Sequence, residues 1–148
     1  MKLQSLFVPI ALFLSSAPAY AGPYTDDLSK CLVSSTTDAD KSLLVRWIFT
    51  AIALNKELAP YIDMPADVRS KINRDTAGLY MRLLTDSCKG QTHDAFKYEG
   101  QPSISSAFQV LGQVASQGMF SDPDVTTGMT EMTKYFDDKK IKAVLDGK

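Results

Sequence analysis

The stretch SSTTDADKSLLVRWIF (residues 34–49) decides the fold, because it ends one helix and begins another that is apolar around most of its circumference. Four consecutive hydroxyl side chains compete for backbone hydrogen bonds and break the first helix. Thr37 and Asp40 have the spacing of a capping box, with aspartate in place of the usual glutamate or glutamine. The apolar residues that follow leave only a narrow polar line. Such a helix is typical of the middle of an all-α bundle.

Helical spacing recurs along the rest of the chain, and no segment alternates apolar and polar residues over strand length. We predict main helices at residues 24–33, 38–54, 65–89 and 102–117. A fifth begins at Asp122, where an Asp-Pro-Asp sequence combines a cap, a first-turn proline and a first-turn acid. Between the third and fourth helices, we predict a polar connection with one helical turn. The predicted architecture is a compact all-α bundle of about five helices.

Residues 1–21 have the pattern of a secretory signal peptide. Lys2 is followed by the short apolar run LFVPIALFL, and Ala19-Tyr20-Ala21 has the small-x-small pattern of a cleavage site. The apolar run is shorter than the roughly 20 residues that cross a bilayer. We therefore expect a periplasmic or secreted protein without a membrane span, whose residues 22–148 form a single helical domain.

Two cysteines, Cys31 and Cys88, are expected to form a structural disulfide, because an exported chain meets an oxidising compartment. The bridge would close a loop of 57 residues. A redox pair is the less favoured alternative, because redox catalysts usually place their sulfurs in a C-x-x-C motif. Two free thiols are the remaining possibility.

Charge and motif patterns exclude several classes of function. The formal net charge is −1, and removal of Lys2 with the signal peptide leaves −2, so no basic surface favours nucleic acid. The Asp38-x-Asp40 and Asp122-x-Asp124 pairs lack the other ligands of a calcium loop. The sequence therefore predicts no metal site and no cofactor.

Catalytic signals are weak. The only histidine is His93, no G-x-S-x-G motif is present, and the aspartate pairs lie near predicted helix ends, where acids are expected. A hydrolase that uses His93 with a distant serine or carboxylate stays open as the least favoured hypothesis. It requires His93 to line a cleft.

Binding residues are easier to nominate. The connection QTHDAFKYEGQPS (residues 91–103) carries aromatic side chains in a polar setting, and loops on a rigid scaffold often bind partners. We nominate His93, Phe96, Lys97 and Tyr98 as partner-binding residues. Arg46, on the polar line of the second helix, is the candidate for binding a small anionic ligand. Its alternative role is an ordinary ion pair or surface residue.

The segment DDLSKCLVSSTTDADKSLLVRWIF (residues 26–49) is similar to the start of uncharacterised small exported bacterial helical proteins. The length, export signal and two cysteines resemble those of immunity proteins that protect the periplasm from type VI secreted amidases. This second resemblance is one of size and class and implies an exported toxin as partner. We therefore expect a non-enzymatic, exported protein that binds another protein. The alternative is a carrier with an apolar pocket along the second helix and Arg46 at its mouth.

Overall fold

The computed structural model describes residues 22–147, which are helical and contain no strand. The all-α prediction is confirmed, but the described range contains seven α-helices instead of about five. The predicted signal peptide lies outside the described residues. The helices are α1 (Pro23–Ser34), α2 (Asp38–Ile52), α3 (Ala66–Arg82), α4 (Lys89–Glu99), α5 (Gln101–Phe120), α6 (Pro123–Thr130) and α7 (Asp138–Leu145).

The predicted third helix, residues 65–89, is wrong after residue 82. A π-helical turn, Leu83–Ser87, follows α3, and the Cys88 backbone N–H donates to the Leu83 carbonyl at 2.8 Å. One wide turn brings residues five positions apart onto the same face, so Leu83 and Cys88 are both fully buried. The chain then begins α4, and the predicted connection is a helix instead. Ala95 explains its formation, because this residue is fully buried in the core.

The fourth and fifth predicted helices also differ from the structure. Helix α5 continues past residue 117 and ends at Phe120. Asp122 caps α6 as predicted, accepting hydrogen bonds from the backbone N–H groups of Asp124 and Val125. A 3₁₀ segment, Glu131–Tyr135, then separates α6 from α7. The acid pair Asp137-Asp138 indicates a break or bend before a last helical segment, and the structure shows a break, with Asp137 capping α7.

The core is formed mainly by leucine and alanine. Helix α5 is its centre, because α1, α2 and α4 all pack against it. The prediction that the second helix lies in the middle is wrong: Phe49 and Ile52 are about half exposed, while Thr50 on the predicted polar line is buried. The buried core residues are Leu28, Leu32, Leu44, Leu79, Leu83, Cys88, Ala95, Ala107, Leu111 and Ala115.

Two long-range connections hold the bundle together. The sulfurs of Cys31 and Cys88 lie 2.04 Å apart with a Cα–Cα distance of 5.9 Å, which is the predicted disulfide. Asp40 completes the predicted capping box with Thr37 and also accepts a hydrogen bond from Arg82 Nη2 at 2.8 Å. Burial raises the pKa of Asp40, but these hydrogen bonds and the Arg82 charge outweigh it and lower the pKa overall.

Residues 122–147 form what we call the C-terminal arm. Helix α6 packs against the end of α5 and against the following 3₁₀ segment, whereas α7 packs against no other element of the described chain. None of the arm's helical residues is buried. No helix between residues 22 and 147 has both the length and the apolarity to cross a membrane.

Candidate functional site

The nominated partner-binding residues lie on a helix, α4, where a loop was expected. His93, Phe96 and Lys97 have the i, i+3, i+4 spacing that places side chains on one face of a helix. The opposite face carries Ala95 into the core. Phe96 is 59% exposed and Tyr98 is 56% exposed, so both aromatic rings are available to a partner. The structure therefore places His93, Phe96 and Lys97 on one face of α4, whereas Tyr98, two positions after Phe96, projects from the other side of the helix.

Tyr24 joins this surface, and sequence reasoning missed it. Its ring stacks on that of Tyr98 with centroids 4.6 Å apart, and Lys97 Nζ lies 4.9 Å from the Tyr98 centroid. Tyr24 lies at the N-terminal end of α1 and Tyr98 at the C-terminal end of α4, so no local sequence spacing relates them. We use the name aromatic face of α4 for the exposed side chains of Tyr24, His93, Phe96, Lys97 and Tyr98, with Phe96 and the Tyr24–Tyr98 pair on either side of Lys97.

Glu99 fixes the aromatic face of α4 to the rest of the bundle. Its carboxylate accepts hydrogen bonds from the backbone N–H groups of Tyr24 and Thr25, each at 2.9 Å, and from the Thr25 hydroxyl. It therefore caps α1, whose own N-cap residue, Gly22, has no side chain to do so. The Thr25 hydroxyl, followed by the two backbone donors, lowers the pKa of Glu99, and partial desolvation opposes this effect.

Two glycines make this junction possible. A Cβ on Gly22 would lie 2.2 Å from Glu99 Oε1, so any larger residue would displace the capping carboxylate. Gly100 separates α4 from α5 with φ +78°, a left-handed conformation that favours glycine. Because of this tight turn, the end of α4 is held directly beside the start of α1.

His93 does not line a cleft. Its side chain is 67% exposed, and its Nδ1 lies 3.0 Å from Oδ1 of the neighbouring Asp94. The pair is therefore a surface contact between adjacent residues. The hydrolase hypothesis required a histidine in a cleft, and this geometry does not provide one.

Arg46 lies on a separate site, since α2 and α4 do not contact each other. It borders an open cleft of about 480 Å³ between α2 and α5, with Val45, Ala115 and Met119 as apolar lining. Arg46 Nε donates to the Ser42 carbonyl at 3.3 Å, and Arg46 takes no part in the ion pairs found among residues 22–147. Its guanidinium can therefore bind an anion. Lys41 also lines the cleft, together with Asp38 and Asp122.

Trp47 belongs to the apolar run of α2, which indicates a core position, but it is only partly buried. Its ring makes an edge contact with Tyr80, the centroids being 6.0 Å apart, and Tyr80 stacks on Phe108 at 4.2 Å. Burial raises the pKa of Tyr80. A cavity of about 260 Å³ lies beside these aromatic rings. It does not include Arg46.

Between residues 22 and 147, no three histidine, cysteine, aspartate or glutamate side chains are grouped closely enough to hold a metal ion. No protein-family model matches the chain, and neither a curated protein nor a solved structure is significantly similar to it.

Proposed function

We propose that this chain is an exported, non-enzymatic binding protein that uses the aromatic face of α4 to bind another protein. Inhibition of an exported toxin, as by an immunity protein, is the specific form that this proposal takes. The periplasm, or the exterior reached by secretion, is the compartment that the predicted signal peptide implies.

The observation that carries the proposal is the exposure of three aromatic rings on a rigid support. Tyrosine and other aromatic side chains are enriched where proteins bind one another, because they bury a large area at low entropic cost. The Tyr24–Tyr98 stack reduces that cost further, since the rings already hold one arrangement. The disulfide and the Glu99 cap tie both supporting helices together.

The test compares partners captured from a periplasmic extract of the source cells by three forms of the protein. The Phe96→Ala/Tyr98→Ala variant removes two rings of the aromatic face of α4. A matched control, Val68→Ala/Met81→Ala, removes two exposed apolar side chains from α3. We expect one defined protein to be captured by the wild type and the control and to be lost, by tenfold or more, from the α4 variant. Equal capture by all three forms would reject the aromatic face of α4 as the binding surface.

A small-ligand carrier is the second candidate, and the cleft beside Arg46 favours it. Its volume of about 480 Å³ lies within the usual range of ligand sites. Arg46, which makes no ion pair among residues 22–147, stands beside the apolar wall together with Lys41, Asp38 and Asp122, and an amphipathic ligand would place its anionic group against Arg46. Native mass spectrometry of freshly purified protein tests this function directly. A bound metabolite that disappears in Arg46→Gln, but persists in Arg74→Gln on α3, would support the carrier. Ligand-free spectra for the wild type would reject it.

A further inference from the structure

The C-terminal arm carries seven exposed large apolar side chains. Helix α7 places Ile141, Val144 and Leu145 at i, i+3 and i+4, so they share one face, and its first five residues include three lysines. Further exposed apolar residues precede this helix: Met129, Met132, Tyr135 and Phe136.

The apolar face of α7 requires another surface to cover it. Helix α7 has eight residues, and isolated helices shorter than about 12–15 residues are marginal in water even when their sequence favours helix. No other element of its own chain packs against it. The surface that stabilises α7 must therefore be supplied by something other than residues 22–147 of the same chain.

The bundle offers an uncharged groove whose lining contains both apolar and polar residues. It lies between α2 and α5, has a volume of about 470 Å³, and is lined by Ile48, Gly112, Ser116, Phe120 and two glutamines. Its lining includes no charged residue. Ile48 and Gly112 also line the cavity beside Trp47. A Cβ at Gly112 would meet no atom within 4 Å, so the groove is open there to an approaching side chain.

We propose that the C-terminal arm of one copy of this chain occupies the α2–α5 groove of a second copy, and that the exchange is reciprocal in a two-fold dimer. The arm begins beside Phe120, which itself lines the groove, so interface and arm are continuous on each molecule. An interface of this kind is isologous and closes with two copies.

The exposed area agrees with a stable dimer. Seven large apolar side chains of the arm, together with Met119 and Phe120 at its root, expose on the order of 1,000 Å². A standard protein interface buries about 800 Å² on each partner. Two reciprocal arms therefore supply enough apolar area, and α4 contributes no residue to the groove. The proposal thus stands independently of the function assigned to the aromatic face of α4.

Two pairs of variants test the exchange from both sides. Gly112→Phe fills the groove, and Gly112→Ala is its control, since open space surrounds the added methyl group. Ile141→Asn/Leu145→Asn makes the apolar face of α7 polar, and Lys139→Asn/Lys142→Asn introduces the same amides elsewhere on the helix. Light scattering coupled to size exclusion, on chains beginning at Gly22, should show dimers for the wild type and both controls. The groove and arm variants should be monomers, with circular dichroism confirming that each is folded.

Mixing the two monomeric variants separates exchange from an arm that folds back onto its own bundle. In a mixed pair, the intact arm of Gly112→Phe faces the intact groove of the arm variant, so one of the two contacts is restored. We expect the mixture to form a heterodimer that dissociates at least tenfold more readily than the wild-type dimer. Failure to recover any dimer, persistence of dimers in either variant, or a monomeric wild type at every concentration would overturn the proposal. A monomeric wild type that sediments with phosphatidylglycerol vesicles would identify a lipid surface as the arm's partner instead.

Discussion

The bundle formed by α1–α5 and the C-terminal arm begin from similar local signals but reach different states. Both contain capped helices: Thr37 caps α2, and Asp122 and Asp137 cap α6 and α7. Only the bundle adds long-range connections and fully buried side chains, while the arm's helices have none. The comparison teaches that capping and helical spacing determine where a helix begins, whereas burial determines where it lies.

The largest expected difference between the two regions concerns the disulfide. Cys31→Ala/Cys88→Ala opens a loop of 57 residues, and the chain-entropy model then predicts a loss of about 4 kcal/mol in the free energy of unfolding. Urea unfolding followed by circular dichroism measures this loss. Hydrogen exchange in α7 should be unchanged, because the bridge connects only bundle elements. A stability equal to that of the wild type would contradict the structural role of the bridge.

A pair of leucine substitutions compares the two regions directly. Leu111 is fully buried at the centre of the bundle, whereas Leu145 is 80% exposed. Leu111→Ala should lower the free energy of unfolding by about 2–5 kcal/mol through lost burial and a cavity. Leu145→Ala should change it by less than about 0.5 kcal/mol when measured at dilution, where the arm is unassociated. Similar losses from both substitutions would show that the arm packs on its own bundle.

The Glu99→Gln substitution tests a long-range connection of the bundle, because it removes the charge from the side chain that caps α1. The loss should be smaller than that of Leu111→Ala, because only hydrogen bonds are weakened. The pKa of Glu99 is lowered in the folded state, so its contribution is present above the ordinary value of 4.5 and is lost as pH falls through the lower folded pKa. The melting temperatures of the wild type and variant should therefore differ most near neutral pH and converge in acid. A difference independent of pH would refute this electrostatic role. Glu57→Gln, on an exposed residue, is the control.

The smallest effects come from local caps. Thr37→Ala removes the side chain that accepts from the Asp40 backbone N–H at 3.2 Å and should cost about 1 kcal/mol in global unfolding. Asp137→Ala should instead increase hydrogen exchange within α7 and leave global unfolding at dilution unchanged. Thermal melts and site-resolved exchange measure the two results. A lower global stability for Asp137→Ala would show that the arm unfolds together with the bundle.

Local patterns were sufficient to predict the helical class, the cysteine pair and several helix starts. They were insufficient at Leu83–Ser87, because an apolar residue every three or four positions cannot distinguish a continuous helix from one with a wide turn. They also predicted that α2 lies nearer the centre of the bundle than it does. The burial of a broad apolar face depends on which other helices pack against it. The spacing of Ile141, Val144 and Leu145 indicates a last helical segment after Asp137, but it does not show that α7 packs against no other element of residues 22–147.

In the candidate site, too, some residues could be identified from the sequence alone and others could not. The nomination of Phe96 and Tyr98 needed only their aromatic character in a polar segment. Tyr24 and Glu99 could not be nominated, because their contact joins positions 75 residues apart and leaves no periodic signal. Arg46 was found from its position on a polar line, but the cleft beside it depends on how α5 packs.

The cap that Glu99 places on α1 also has a consequence for the time course of synthesis. Thr25 and Glu99 are separated by 74 residues, and at roughly 5–20 residues per second the ribosome needs about 4–15 s to make that interval. The earliest helix of the bundle is therefore not fully capped until the end of α4 has been made. Until position 99 of 148 has been added, the first N–H groups of α1 lack their protein acceptor, and the beginning of the chain stays open to water and to any factor that handles it unfolded.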